Sequence, residues 1–100
     1  MFDSVDELEQ SALGGGEPPA GMSEPVKALW YCKAGKWHEA HDVAQDLGSK
    51  MGDWIHAHLH LVEGDIGNAG YWYARAGKPP QRPSQIDEEW RVIAAAALNE

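Results

Sequence analysis

The chain contains one cysteine, Cys32, so it cannot form an internal disulfide, and a reducing, cytoplasmic compartment is the expectation. It lacks any apolar run near the roughly 20 residues that a membrane-spanning helix needs, which points to a soluble protein with no membrane partner. Its first ten residues carry neither a basic head nor an apolar stretch, so they do not read as a secretory signal. Basic side chains are scarce, with eight Lys and Arg against sixteen Asp and Glu for a net charge of −8. They are also scattered, so the clustered positive charge that phosphate binding requires is missing and nucleic acid is excluded as an expected partner. Sustained period-two alternation is absent as well, and no sheet is expected. At 100 residues there is room for one compact core.

The acidity is uneven. Asp3, Asp6, Glu7, Glu9, Glu17 and Glu24 precede the first lysine, Lys27. Gly14-Gly15-Gly16-Glu17-Pro18-Pro19 has no apolar periodicity. Residues 1–22 therefore read as an acidic flexible N-terminal arm with a Gly/Pro linker. A second reading of the arm is open, because Phe2, Val5, Leu8, Ala12 and Leu13 recur at near-helical spacing and would let it dock as a short helix.

Residues 23–100 read as five helices. Ser23, Glu24 and Pro25 supply an N-cap, an acid and a proline for the first, which runs through Leu29 and Cys32 to Gly35. Trp37, Ala40, His41, Ala44 and Leu47 form one stripe of the second. The third is expected from an Asp53 cap to Glu63, apolar on nearly every side and hence central. The fourth covers 68–76 with Ala69, Trp72, Tyr73 and Ala76 on one face, and Gly77 with Pro79 and Pro80 ends it. Ser84 and Asp87 have capping-box spacing ahead of the fifth, a terminal lid with Ile86, Trp90, Ile93 and Ala97 on its stripe.

Two inter-helix turns match. Gly35-Lys36-Trp37-His38-Glu39-Ala40 and Gly64-Asp65-Ile66-Gly67-Asn68-Ala69 share Gly-x-apolar-x-x-Ala, in which glycine permits the bend, the apolar residue packs into the hairpin and alanine allows close approach. Together with Tyr73, Ala76 and the prolines that follow, residues 25–80 resemble a degenerate pair of tetratricopeptide repeats. The resemblance implies an all-α fold of two stacked antiparallel helix hairpins with a C-terminal capping helix. It also implies a protein-protein interaction module whose partner is a protein or peptide, with a homo-oligomer as a further option.

All five histidines, His38, His41, His56, His58 and His60, fall in the central third of the chain. On helices, His38 with His41 and His56 with His60 share faces, and Glu63 continues the second face. An antiparallel turn near Ser49 to Met51 would set His41 opposite His60 and His38 opposite Glu63, with His58 pointing away. Two outcomes stay open. The imidazoles can satisfy one another and nearby carboxylates as a buried polar layer. Alternatively His38, His41, His56, His60 and Glu63 can hold a divalent ion such as zinc, which imidazole-rich ligation favours.

Other chemistry finds little support. No serine sits in a nucleophile-elbow pattern, Gly14-Gly15-Gly16 lacks the Lys-Ser/Thr of a phosphate loop, and the His-Glu-x-His segment does not match the zinc-protease spacing, so the reading leans away from an enzyme. Cys32 reads as a core thiol. Trp37, Trp72 and Trp90 lie on apolar stripes, whereas Trp30, Tyr31 and Trp54 are the candidate anchors for a partner.

Overall fold

The computed structural model describes residues 2–100 and contains, among them, six α-helices, one short 3₁₀ turn and no strand. The helices are α1 (Val5–Leu13), α2 (Glu24–Lys33), α3 (Trp37–Gln45), α4 (Lys50–Glu63), α5 (Ile66–Ala76) and α6 (Ile86–Leu98), with the 3₁₀ turn Pro83–Gln85 ahead of α6. The all-α class is as the sequence implied, but the helix count is six rather than five.

The extra helix is α1. Ser4 caps it by accepting from the Glu7 amide, and Leu8 and Ala12 are buried on its inner side. The segment read as a solvated acidic arm packs on α2 and α6 instead. Its acids meet bases of the domain: Arg91 donates to Asp6 at 2.6 Å and Glu9 at 2.9 Å, and Lys33 lies 3.4 Å from Glu9. The Trp30 indole also donates to the Ser11 hydroxyl at 3.0 Å. This is the second reading of the arm, the docked short helix that its apolar spacing allowed; the acidic composition pointed the other way because the partners of the acids are far away in sequence.

Local signals explain most helix boundaries. Ser23 accepts from the Val26 amide and Pro25 sits in the first turn of α2. The third predicted helix starts earlier than its expected Asp53 cap, since Ser49 accepts from the Gly52 amide and opens α4 at Lys50. Gly52 permits that start because a Cβ there would stand 2.7 Å from the Leu47 Cβ. The Ser84–Asp87 box does not cap α6, and the Arg82 amide instead donates to the Gln85 side chain across the 3₁₀ turn. Gly35, Gly64 and Gly77 take positive φ of 81°, 87° and 71°. After each, the next amide reaches back five residues to close the helix, from Lys36 to Tyr31, Asp65 to His60 and Lys78 to Tyr73.

Consecutive helices pack on each other through α2, α3, α4 and α5, the α4–α5 contact being the most extensive. Ala40 and Ala69, the alanines of the repeated turn, are both buried. Ile66 departs from its expected place in the hairpin and is half exposed. Helix α6 lies across α2 and α4, and the Trp90 indole donates to the Leu29 carbonyl at 3.0 Å. Helix α4 is accordingly the central rod, touched by α2, α3, α5 and α6. No described helix is long and apolar enough to cross a membrane.

Candidate metal centre

Because α4 is surrounded, all three of its histidines are buried, and their spacing sorts them between two environments. His56 and His60 are one helical turn apart and face the same way, while His58 is rotated by about 200° from either neighbour. On the first side, His41 of α3 meets the α4 pair. One ligand-capable nitrogen from each of His41, His56 and His60 lies within 4.8 Å of the other two. The ring centroids are 4.6 Å apart for His41 and His56, 4.8 Å for His56 and His60, and 5.4 Å for His41 and His60.

Two indoles wall this group. Trp37 stacks on His41 at 4.9 Å and 16°, and Trp72 of α5 stacks on His56 at 3.9 Å and 15°. Trp37 is itself fixed by its indole N–H, which donates to the Leu59 carbonyl at 2.7 Å. Outside Trp72 lies Arg75, its guanidinium carbon 5.0 Å from the ring centroid.

His60 has an orienting partner. Its Nδ1–H donates to Glu63 Oε2 at 2.6 Å, since a carboxylate can only accept, and the lone pair is then on Nε2. That is the arrangement by which a carboxylate fixes the tautomer of a metal-binding imidazole. His41 and His56 have no hydrogen-bond partner among the described residues, and the three rings do not hydrogen-bond one another. The buried polar layer is formed only in part: His60 and His58 pair with the carboxylates of Glu63 and Glu89, whereas the imidazoles do not satisfy one another and His41 and His56 pair with nothing among the described residues. Burial, followed by its neighbours His41, His60 and Arg75, lowers the pKa of His56 to about 4. Burial and then His60 lower that of His41. Both rings are thus neutral at pH 7, which is the form that ligates metal.

The five residues expected to ligate divide as follows. His41, His56 and His60 converge, and Glu63 joins through His60. His38 does not join the trio; its ring stands edge-on to Trp37 at 5.3 Å. Asp65, not singled out from the sequence, lies with His60 and Glu63 in a second, more exposed group. On a tetrahedral zinc ion, nitrogens at the usual bond length are about 3.3 Å apart, so the trio would have to draw closer to hold an ion.

The other side of α4 is built differently. His58 Nδ1–H donates to Glu89 Oε1 at 2.7 Å, the Tyr73 hydroxyl donates to the same oxygen at 2.6 Å, and the Trp54 indole donates to Oε2 at 3.3 Å. All four side chains are buried, and burial followed by the Glu89 contact pushes the Tyr73 pKa up. Glu89 had no sequence signal beyond its position on the apolar stripe of α6.

The candidate partner anchors are mostly internal. Trp30 is fully buried and serves the α1 contact, which removes it as an anchor. Trp54 is buried in the Glu89 network with the Lys78 ammonium 4.2 Å from its ring centroid, and Tyr31 is half-buried, edge-on to Trp30. Comparison of the chain with protein-family models, curated proteins and solved structures yields no match.

Proposed function

We propose that the protein binds a divalent transition-metal ion, with zinc as the reference ion, through His41, His56 and His60. The observation that carries this reading is the convergence of three imidazoles with ring nitrogens within 4.8 Å, two of the rings having no hydrogen-bond partner among the described residues. Glu63 orients His60, and Trp37 and Trp72 hold the other two imidazoles by stacking. Imidazole donors favour zinc, copper, nickel and cobalt over calcium or magnesium. Three protein ligands leave a coordination position for solvent or an exogenous group, the usual condition for a site that senses, carries or reacts rather than one that only braces a fold.

Calorimetric titration of untagged protein with Zn²⁺ tests the reading. One ion per chain is expected, with affinity falling about 100-fold or more in His56→Ala and changing little in His38→Ala. An isotherm without binding, or equal losses in the two variants, contradicts it.

The paired helices support a second reading, a tetratricopeptide-like interaction module that takes a protein or peptide partner and has α6 as its cap. Helices α1 and α6 lie against α2, and α6 also covers α4. The partner face is then the outer side of α5, where Ile66 and Tyr71 are exposed, and this side can also join two copies of the chain. Sedimentation velocity over a concentration series tests the self-association form: a dimer lost in Ile66→Ser with Tyr71→Ser supports it, and a monomer throughout contradicts it.

A further inference from the structure

His60 belongs to two ligand-capable groups at once. On the inner side its partners are His41 and His56, and on the outer side they are Glu63 and Asp65; in each group one ligand atom per residue lies within 4.8 Å of the other two. Two rings of the inner group are buried, His56 at 5% and His60 at 6% exposure, and an indole covers one face of His41 and one of His56. Glu63 and Asp65 are exposed. An ion held by the three imidazoles therefore has to pass from solvent to buried rings, and of the three only His60 is hydrogen-bonded to a carboxylate that solvent reaches.

The turn between α4 and α5 builds the outer group. Gly64 reverses the chain at a φ of 87°, and the Asp65 amide then donates to the carbonyl of His60 itself at 2.9 Å. The Asp65 carboxylate is placed by capping α5, where it accepts from the Asn68 amide at 3.3 Å. Glu63, the last residue of α4, accepts the Nδ1 proton of His60 at 2.6 Å. Neither carboxylate is neutralised by the chain: Asp6, Glu9, Glu17, Glu24 and Asp53 each lie within 3.8 Å of a lysine or arginine, whereas Glu63 and Asp65 meet none among the described residues. Glu39 and Asp42 are also free of bases, but they belong to no group of three ligand-capable side chains among the described residues.

We infer that Glu63, Asp65 and His60 form an outer site that captures a divalent cation from solvent and delivers it to His41 and His56, with His60 common to both sites. On the outer site the ion replaces the Nδ1 proton that Glu63 now accepts, and that proton moves to Nε2. On the inner site Nε2 ligates and the proton returns to Nδ1, so His60 is a neutral ligand at both stages. Capture stands on the outer group alone, and delivery rests on the proposed three-histidine centre.

Two measurements on the full chain separate these parts. In His41→Gln, which cripples the inner site, substoichiometric Mn²⁺ is expected to broaden the backbone amide resonances of Glu63, Gly64 and Asp65 ahead of those at other carboxylates. Adding Asp65→Asn, whose side-chain oxygen still caps α5, is expected to abolish that preference. Uniform broadening across the acidic residues, or a preference that survives Asp65→Asn, overturns capture. In the otherwise unaltered chain, stopped-flow quenching of tryptophan fluorescence by Co²⁺ follows delivery. Asp65→Asn is expected to slow both association and dissociation about fivefold and to leave the Kd within about twofold, because it acts on passage rather than on the bound state. Asp42→Asn, the same charge change on the His41 side, is expected to leave the rates unaltered. Equal slowing by the two substitutions, or an unchanged association rate in Asp65→Asn, overturns delivery. Absence of Co²⁺ uptake by the wild-type chain contradicts the three-histidine centre and delivery with it, and the Mn²⁺ result then decides capture by itself.

Discussion

Two faces of α4, separated by a two-residue step, treat histidine in opposite ways. On the α6 face, His58 gives its proton to a carboxylate that also gathers Tyr73 and Trp54, and the group is a closed network apart from Nε2. On the α3–α5 face, His41 and His56 have stacked indoles where His58 has a carboxylate, and only His60 is hydrogen-bonded. The difference lies in how each face holds its rings. Hydrogen-bonded burial ties α4 to α5 and α6, whereas stacked, neutral and unpartnered imidazoles are held in place with their lone pairs available.

The comparison sets an order of effects. Glu89→Ala leaves the His58 Nδ1–H, the Tyr73 hydroxyl and the Trp54 indole without an acceptor, and urea unfolding is expected to show a loss of about 3–5 kcal/mol. Trp37→Phe keeps an aromatic wall but drops the bond to the Leu59 carbonyl, for an expected loss of about 1 kcal/mol. His41→Gln removes an imidazole that bonds to nothing, and in metal-free protein it is expected to cost about 0.5 kcal/mol or less. If His41→Gln proved as damaging as Glu89→Ala, the two faces would be equally structural and the contrast would fail.

Acid sharpens the same contrast. The pKa of His56 is lowered in the folded protein from 6.5 to about 4, so between these values the unfolded chain takes up a proton that the native one refuses. The His56 contribution to the stability of the metal-free protein therefore decreases as pH falls through 6.5 and changes no further below about 4, and His41, shifted in the same direction, contributes with the same sign. Thermal melts after chelation, stepped through that range, are expected to show a falling melting temperature. A flat or rising one would mean that the imidazoles are not held neutral.

Much of this was legible in the chain because it is local. The Ser23-Glu24-Pro25 start of α2, the glycines that end α2, α4 and α5, and the four-residue spacing of His56 and His60 are read from adjacent residues and helical geometry. The meeting of His41 with His60 also followed, since a short reversal between α3 and α4 leaves little choice of register. What escaped depends on distant partners. Helix α1 is acidic and Gly-flanked, and although the spacing of Leu8 and Ala12 left docking open, the contacts to Arg91, Lys33 and the Trp30 indole that decide against a solvated arm are distant in sequence. Trp30 changed from candidate anchor to core for the same reason. His38 left the expected ligand set because its ring stands beside Trp37, a placement the spacing of His38 and His41 did not distinguish. Glu89 is 31 residues from His58, and a carboxylate on the apolar stripe between Ile86 and Ile93 was the one trace of its role.

The most direct test of the metal reading is the zinc-edge X-ray absorption spectrum of protein loaded with one equivalent of Zn²⁺. Three imidazole ligands, with nitrogens at about 2.0–2.1 Å and the multiple-scattering pattern of the ring, are the expected shell, reduced to two in His56→Ala. A shell made only of oxygen, or one unchanged by that substitution, would contradict the assignment of His41, His56 and His60 as the centre.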